Sequence, residues 1–385
     1  MPHFSGPIRS KLPKVETTIF TVMSQLAAKE NAVNLSQGFP DFSCSPDLTE
    51  LVNKYMKAGF NQYSHMAGFI GLRQIISDKV SKLYGAYYNP ETEITVTAGG
   101  TQAIYTAIAS TIGEGDEVIL FTPAYDCFEP AIELNGGKPV FVQLSVPDYS
   151  VDWESVKKVI NQKTKMIIIN TPHNPSGTVL NHDDFEQLEK IVGNTDILVL
   201  CDEVYEHIVF DGLMHESITK FPNLAERSFV ISSFGKTFHT TGWKVGYCLA
   251  PENLMKEFRK AHQFIVFAVN TPIQHAIAEF LQDEHSYMDL SSFYQQKRDL
   301  FLSMISPSRF KAIPSKGTYF QLLNFENITD KSDVDFSVEL TKTKKIASIP
   351  VSVFYHKKVD AHVLRFCFAK SDETLRLAAD IINSI

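Results

Sequence analysis

The sequence has few cysteines, no long apolar run and little excess charge, and each absence narrows the classes of protein to consider. The five cysteines among its 385 residues stand far apart, and none forms a C-x-x-C pair. This spacing argues against a zinc site, a redox pair or a disulfide framework. We therefore predict no bound metal and a reducing, cytoplasmic environment for the five thiols of Cys44, Cys127, Cys201, Cys248 and Cys367.

The sequence also argues against a membrane protein and against a nucleic-acid-binding protein. No window reaches the roughly 18 uninterrupted apolar residues of a membrane-spanning helix. The N-terminal segment MPHFSGPIRSKLPKV lacks the apolar core of a secretory signal. The formal net charge of −8 is small for this length and argues against a surface for nucleic acid or anionic lipid. The sequence thus predicts a soluble protein that binds neither.

Short apolar runs dominate the middle of the chain: EITVTA, DEVILFTP, KPVFVQL, MIIINTP, ILVLCDEV, SFVISSF and KVGYCLA. Their continuous hydrophobicity indicates strands buried on both faces, in a mostly parallel sheet flanked by helices. Beyond about residue 278 the pattern changes to that of a smaller α+β domain. We expect an N-terminal arm with part of the small domain (1–42), a large α/β domain (43–277) and a C-terminal small domain (278–385).

Polar residues follow several of these runs, where a parallel sheet places its ligand site. The sequence Gly99-Gly100-Thr101 leads from a run into a helix, and backbone N–H groups at a helix start attract an anion. The same residues would also suit a plain strand-to-helix turn. Asn174 follows another run, in a Pro-rich turn that turn chemistry alone would also explain.

Two charged residues are harder to explain by structure alone. Asp202 follows the run ILVLC, so its carboxylate lies at the buried end of a strand and needs a cationic partner. Lys236 lies in a turn after the run FVIS, where a desolvated lysine has a lowered pKa and becomes a usable nucleophile. The usual fate of a lysine, reaching water, is the alternative. Tyr205 and Lys244 add a hydroxyl and a second cation nearby.

An anion-binding turn, a buried carboxylate, a hydroxyl, an amide and a reactive amine are the groups that pyridoxal 5′-phosphate (PLP) requires. Its phosphate binds backbone N–H groups and cations, and its pyridine nitrogen pairs with a carboxylate. Its phenolic oxygen accepts hydrogen bonds, and its aldehyde reacts with a lysine. We therefore predict that Lys236 binds the aldehyde and Lys244 the phosphate.

Seven blocks in order carry a family resemblance: NLSQGFPDF, NQYSHMAGFIGLR, TVTAGGTQA, NTPHNPSGTV, CDEVYEHI, SSFGKTFHTTGWKVGY and VLRFCFAK. With them the chain resembles, over essentially its whole length, the fold-type I, class I/II aminotransferases. Within that family it is most similar to the branch of methionine and kynurenine–glutamine aminotransferases. The resemblance implies Lys236, Asp202 and Tyr205 as catalytic residues. It implies Asp202 at the pyridine nitrogen, with Tyr205 and Asn174 at the phenolic oxygen.

The resemblance also implies the rest of the cofactor site. Its predicted contacts are Gly100, Thr101, Gln102, Ser233 and Lys244 around the phosphate, with Tyr125 stacked on the ring. Tyr63 corresponds to a tyrosine that reaches the phosphate of a neighbouring subunit, which implies a homodimer with shared active sites. Many relatives have an arginine where Lys244 stands, so a point charge replaces a bidentate group here.

The substrate end centres on Arg365 in VLRFCFA, because a guanidinium matches the α-carboxylate of an amino acid. A salt bridge to a protein carboxylate would explain Arg365 equally well, and the resemblance favours the substrate, with Gly38 and Asn174 assisting. The expected side-chain pocket is apolar or aromatic and comprises Ile19, Phe20, Phe39, Tyr63 and Phe267. We expect His207 and His239 to be structural.

The predicted function is transfer of the amino group of a neutral, bulky amino acid to a 2-oxo acid by a ping-pong mechanism. Methionine is favoured, ahead of aromatic residues, leucine, glutamine or kynurenine, because no second arginine is placed to meet a side-chain carboxylate. The alternatives are a PLP-dependent carbon–sulfur β-lyase and a kynurenine–oxoglutarate transaminase. A PLP-binding regulatory module is disfavoured, since the sequence leaves no room for a DNA-binding segment before SQGFPDF.

Overall fold

The computed structural model describes residue 3, residues 5–357 and residues 359–385. The strands are β1 (Val33–Asn34), β2 (Ile94–Thr97), β3 (Glu117–Thr122), β4 (Lys138–Gln143), β5 (Thr164–Asn170), β6 (Leu198–Asp202), β7 (Ser228–Ser233), β8 (Gly246–Leu249), β9 (Lys311–Ile313), β10 (Phe320–Asn324), β11 (Ile346–Ala347), β12 (Ile349–Pro350) and β13 (Val363–Cys367). The helices are α1 (Ile19–Glu30), α2 (Pro46–Lys57), α3 (Ile70–Tyr84), α4 (Gly100–Thr111), α5 (Phe128–Leu134), α6 (Trp153–Val159), α7 (His182–Val192), α8 (Pro222–Ala225), α9 (Phe234–Thr237), α10 (Glu252–Ile265), α11 (Thr271–Phe280), α12 (His285–Met288), α13 (Leu290–Ile305), α14 (Asp333–Glu339) and α15 (Asp372–Asn383).

A seven-stranded sheet in the order β2-β8-β7-β6-β5-β3-β4 forms the centre of the molecule. Its neighbouring strands run parallel, except that β8 is antiparallel to both β2 and β7. The seven apolar runs of the sequence are these seven strands, so the prediction of a mostly parallel sheet is confirmed. Continuous hydrophobicity was the right signal because helices pack on both faces, and β2 and β8 are buried along their whole length.

The C-terminal elements build a second, antiparallel sheet in the order β12-β13-β10-β9, with α13 packed against α15. The N-terminal segment joins this unit, because β1 pairs in parallel with β11 and Met23 of α1 packs against Ile349 and Phe354. These contacts agree with assigning residues 1–42 partly to the small domain, and the three domain bounds stay a prediction. In the part of the chain that the structure describes, no helix is long and apolar enough to span a bilayer.

The carboxyl ends of β5, β6 and β7 lie side by side, since Asn170 is opposite Asp202 and Asp202 is opposite Ile231. The loop after β1 and strand β13 of the small domain approach this edge from the other side, because Arg365 Nη2 donates to the carbonyl of Ser36. The fold therefore brings polar residues from strand ends, the N-terminal loop and the small domain to one place.

Candidate active site

A cavity of about 260 Å³ lies between the sheet edge and the small domain. Most of the residues predicted from the sequence line it: Phe20, Gly38, Phe39, Gly100, Thr101, Tyr125, Asn174, Asp202, Tyr205, Ser233, Lys236, Lys244 and Arg365. They come from segments that are more than 300 residues apart in the sequence. The cavity thus combines the two ends of the predicted site, the cofactor end and the substrate end.

Asp202 ends β6 and is 3% exposed. Its carboxylate accepts a hydrogen bond from the Val204 amide at 3.3 Å, and among the described residues it forms no salt bridge. Burial raises the pKa of Asp202 to about 7, against the opposing effects of the Val204 hydrogen bond and the charge of Lys236. A carboxylate in this environment is stabilised by any cationic or N–H-bearing group that enters the cavity.

Lys236 lies in the short helix α9, which follows β7 directly. Its Nζ atom donates to Tyr319 Oη at 3.0 Å and to the Gly38 carbonyl at 3.4 Å. Burial lowers the pKa of Lys236 to about 8, even though the Asp202 carboxylate acts in the opposite direction. A much larger fraction of this amine than of an ordinary lysine is therefore neutral, and nucleophilic, near physiological pH.

The start of α4 forms one wall of the cavity together with Ser233 and Lys244. Gly99 has φ +80°, and a Cβ atom there would lie 3.2 Å from Lys244 Nζ, so the lysine side chain passes directly over this glycine. Free N–H groups at the start of α4, two hydroxyls and an ammonium make this wall suited to an anion such as a phosphate. Thr241, which the sequence did not single out, also lines it.

Arg365 is fully buried in β13. Its Nη1 atom donates to Asn174 Oδ1 at 2.8 Å, and the guanidinium lies 3.9 Å from the ring centroid of Phe320. Burial lowers the pKa of Arg365 below its ordinary value. Among the described residues its Nε atom has no hydrogen-bond partner and it forms no salt bridge. No protein carboxylate forms a salt bridge with Arg365 among the described residues, although the charge of Asp126 acts on it.

Some predicted residues lie elsewhere. The side chain of Gln102 accepts from the Ala98 amide and donates to Thr106, so only its backbone remains for the predicted cofactor contact. Tyr63 is 82% exposed and packs edge-to-face on Phe267 at 5.0 Å, and neither lines the cavity of this chain. Ile19 packs beside Met23 instead. Tyr63 and Phe267 lie on an exposed surface, and Ile19 is held by the small cluster around Met23, so none of the three side chains reaches the cavity.

His207 and His239 are absent from the lining of the cavity. Burial lowers the pKa of His207 to about 3 and that of His239 to about 4. Both rings are neutral at physiological pH and lie against aromatic side chains, His207 on Tyr287 and His239 on Phe42. This environment agrees with a structural role.

Sequence reasoning missed two polar neighbours of the reactive groups. Asn170 ends β5 and lines the cavity. Its side-chain amide donates to the backbone carbonyl of Asp202 at 2.9 Å. A polar residue at the end of the run MIIIN was a signal of the same kind as Asp202. Tyr319, which accepts from Lys236, gave no such signal, because it lies next to β10 of the small domain.

A family model for aminotransferase class I and II matches residues 30–382. The chain belongs to the class I and II aminotransferases. It is 44% identical to the methionine aminotransferase of Escherichia coli (strain K12), over 98% of each chain. It is 34% identical to the kynurenine–oxoglutarate transaminase of Dictyostelium discoideum, over 94% of this chain and 93% of that protein.

Similarity in three dimensions agrees. The crystal structure of YbdL from Escherichia coli, described as having a methionine aminotransferase function, superposes with a TM-score of 0.97 at 44% identity. The match covers 98% of this chain and 100% of that one. The aminotransferase is accordingly a PLP-dependent transaminase of fold type I, as the sequence predicted.

The groups that line the cavity of this aminotransferase fit PLP independently of the family match. It holds a buried carboxylate with no salt bridge among the described residues, a lysine with a lowered pKa, and a glycine-lined helix start beside an ammonium. Those groups match, in order, the pyridine nitrogen, the aldehyde and the phosphate. Arg365 lines the same cavity and offers a guanidinium of the kind that binds a carboxylate.

Proposed function

We propose that this transaminase moves the amino group of a neutral, bulky amino acid, methionine first, to a 2-oxo acid by a ping-pong mechanism. The observation that carries the proposal is one cavity lined by Lys236, Asp202 and Arg365, with apolar surface beside the arginine. The similarity to the methionine aminotransferase of Escherichia coli supports methionine as the donor.

In this proposal Lys236 binds the cofactor aldehyde, Asp202 pairs with its pyridine nitrogen, and Tyr125 stacks on its ring. Asn174 and Tyr205 donate to its phenolic oxygen. When bound, PLP supplies the aldehyde that takes up the amino group and the ring that withdraws electrons from the α-carbon. The phosphate contacts are the start of α4 with Gly100 and Thr101, the Gln102 backbone, Ser233 and Lys244.

Lys236 has a second role in the proposal, as the base of the reaction. Its amine, with a pKa of about 8, takes up and returns the proton of the substrate α-carbon. A general base of this pKa is poised near the pH of the cell, whereas an ordinary lysine would stay protonated. The lowered pKa is a consequence of burial, so the enclosed cavity is itself part of the mechanism.

The substrate end supports a neutral side chain. Arg365 is held by Asn174 and the Ser36 carbonyl and forms no salt bridge among the described residues, so its positive charge is available for an α-carboxylate. Gly38 and Phe39 lie in the loop that covers it. The remaining lining near Arg365 includes the rings of Phe20 and Phe320, and these apolar surfaces disfavour a second carboxylate.

We further propose a homodimer in which Tyr63 completes the phosphate site of the neighbouring subunit, and a cytoplasmic location consistent with five free thiols. Tyr63 is exposed, as a residue offered to another subunit would be, and Phe267 lies beside it. Mixing Tyr63→Phe chains with Lys236→Ala chains tests this. Activity should appear in the mixed dimers in which one site combines both wild-type residues.

The substrate proposal is tested by an amino-donor panel with one 2-oxo acid, measuring kcat/KM. Methionine should give the highest value and aspartate a much lower one, and parallel lines in double-reciprocal plots should report ping-pong kinetics. A higher kcat/KM for aspartate than for methionine would contradict the proposal. Kynurenine in the same panel tests the transaminase alternative.

The β-lyase alternative needs a separate assay. Cystathionine is incubated with the enzyme without an oxo acid, and pyruvate and ammonia are measured. The proposal expects slow release compared with methionine transamination. Faster turnover of cystathionine than of methionine would make the enzyme a lyase.

A further inference from the structure

A hydrogen-bond chain joins Lys236 to the small domain and to the N-terminal loop. Lys236 Nζ donates to Tyr319 Oη at 3.0 Å, and Tyr319 Oη donates to the Gly38 carbonyl at 2.7 Å. Lys236 also donates to that carbonyl directly, at 3.4 Å. Three segments remote in sequence therefore meet at one amine.

The direction of these bonds follows from what each atom can do. A carbonyl oxygen only accepts, so the single proton of the Tyr319 hydroxyl goes to Gly38. Tyr319 is left with lone pairs, one of which accepts from the lysine. A neutral Lys236 amine has two N–H bonds, and when both are directed at Tyr319 and Gly38 its own lone pair stays free for a proton or a covalent bond.

Tyr319 is itself held firmly. It is fully buried, its ring lies edge-on to Tyr205 at 5.2 Å, and its carbonyl accepts from the Phe368 amide at 3.0 Å. The Lys236 ammonium lies 5.4 Å from the ring centroid of Tyr205 and 5.6 Å from that of Tyr319. An acceptor fixed in this way defines where the amine rests when it is not covalently bound.

We propose that Tyr319 is a positioning residue for Lys236: its hydroxyl, with the Gly38 carbonyl, holds the free ε-amine and directs its lone pair for reaction. The proposal rests on the role proposed above for Lys236. Tyr319 touches neither the reacting carbon nor, in this proposal, the cofactor. It acts on the lysine, and its hydroxyl also meets that of Tyr205, so the labelling of Lys236 is the readout that isolates its effect on the amine. Because Gly38 is in the loop that covers the substrate, the same bonds tie the position of that loop to the amine.

The chain offers a matched control. Tyr294 is as deeply buried as Tyr319, and its ring centroid lies 5.6 Å from that of Tyr319. Its hydroxyl has no hydrogen-bond partner among the described residues. Tyr294→Phe and Tyr319→Phe each remove one buried hydroxyl from the same aromatic cluster, and only the second removes a contact of Lys236.

The test measures the protonation of Lys236 in the loaded enzyme. Loading the full-length protein with pyridoxamine phosphate, the aminated cofactor, leaves the lysine amine free. Pulses of isotopic acetic anhydride at a series of pH values, followed by peptide mass spectrometry, give the labelling midpoint of Lys236. The exposed Lys57 serves as an internal reference. The titratable or charged groups around the amine are Asp202, Tyr205, Lys244, Tyr319, Arg365 and Cys367.

An acceptor stabilises the ammonium more than the amine, so its loss favours the neutral form. The midpoint of Tyr319→Phe should fall by about one pH unit relative to wild type, while that of Tyr294→Phe stays unchanged. In methionine transamination, Tyr319→Phe should lower kcat by about tenfold with little change in KM. Thermal melts should show all three proteins folded, because both substitutions keep the ring.

Equal midpoints and equal kcat for Tyr319→Phe and wild type would overturn the proposal, as would equal shifts in both variants. Failure of the proposed function has a different signature. Loading with PLP should protect Lys236 of the wild type from acetylation, and loading with pyridoxamine phosphate should not. If both loaded forms label equally at Lys236, the lysine is not the one that binds the aldehyde, whatever Tyr319 does.

Discussion

Two buried acid–lysine pairs lie on either side of the turn that follows β6, and they differ in how completely their charges are satisfied. Asp202 and Glu206 are similarly buried, at 3% and 7% exposure. Glu206 forms a 2.7 Å salt bridge with Lys79. It also accepts hydrogen bonds from Tyr84, Ser232 and Tyr247. Asp202 instead accepts one hydrogen bond, from a backbone amide. Asp202 and Lys236 both line the cavity.

The electrostatic consequences are opposite. Burial alone would raise the pKa of Glu206, but the nearby charge of Lys79 and the hydrogen bonds hold it well below its ordinary value. Burial moves Asp202 and Lys236 towards their neutral forms. Burial of a charge therefore does not by itself mark a functional site. A better indication of a functional site is an acid and a lysine that line the same cavity without forming a salt bridge.

The largest expected effect comes from replacing one lysine of each pair. Lys236→Ala should leave a folded protein whose transamination rate is lower by at least about 10³-fold, because the substitution removes both the proposed nucleophile and the proposed base. Lys79→Ala should instead unfold more easily, since Glu206 loses its partner. Transamination rates and melting temperatures of the two purified variants test this difference between the pairs. Near-normal turnover in Lys236→Ala would contradict it.

Removing the charge of Glu206 should destabilise the protein. Glu206→Gln leaves the Lys79 ammonium buried without its counter-charge, which costs about 3–5 kcal/mol. Urea unfolding measures this loss. The folded fraction should keep its kcat/KM for methionine within a few-fold, and a selective loss of kcat would place Glu206 in the catalytic machinery instead.

The same acid-to-amide change at Asp202 should have the opposite sign in the cofactor-free protein. A raised pKa means that the folded state binds more protons than the unfolded state between pH 3.8 and about 7. Stability therefore falls as pH rises through that window, and Asp202→Asn avoids the loss. At pH 8 the variant should be more stable by roughly 4 kcal/mol, and near pH 4 the gap should close.

Thermal melts of both proteins across this pH range test the sign. The gain in stability should accompany a severe loss of transamination, because an amide no longer favours a protonated pyridine nitrogen. A variant less stable than wild type at pH 8 would mean that Asp202 is a structural residue, like Glu206.

The smallest effects are expected at His207 and His239, two partly buried histidines that do not line the cavity. His207→Gln and His239→Gln should each change kcat/KM by less than about twofold, as for substitutions that touch no reacting group. Their low pKa values keep both rings neutral, so the pH–rate profile should keep its shape. If either variant lost the acidic or the basic limb of the pH–rate profile, the replaced histidine would be a proton carrier in the reaction, although it does not line the cavity.

The sequence was sufficient for those parts of the fold and site that depend on local pattern. The central strands were predictable because each is buried from both sides, which leaves a continuous apolar run. Asp202 and Lys236 were noticeable because a charge directly after such a run is unusual. Their burial and their shared cavity follow from the parallel alignment of β6 and β7.

Contacts between remote segments were not predictable in this way. Tyr319 is 83 residues from Lys236, and nothing in GTYF distinguishes a tyrosine that meets a lysine from one that fills a core. Phe320 packs on Arg365 only because β10 and β13 are neighbours, with Leu322 opposite Arg365. The predicted roles of Gly38 and Tyr63 came from family resemblance alone. For Arg365 the resemblance decided between a substrate carboxylate and a protein carboxylate.

The most direct test of the account asks which nitrogen the cofactor occupies. Borohydride reduction of the PLP-loaded enzyme followed by peptide mapping should find one pyridoxyl group per chain, on Lys236. A tag on Lys79 or Lys244, or no tag in fully loaded protein, would contradict the assignment of the unsatisfied pair as the reactive one.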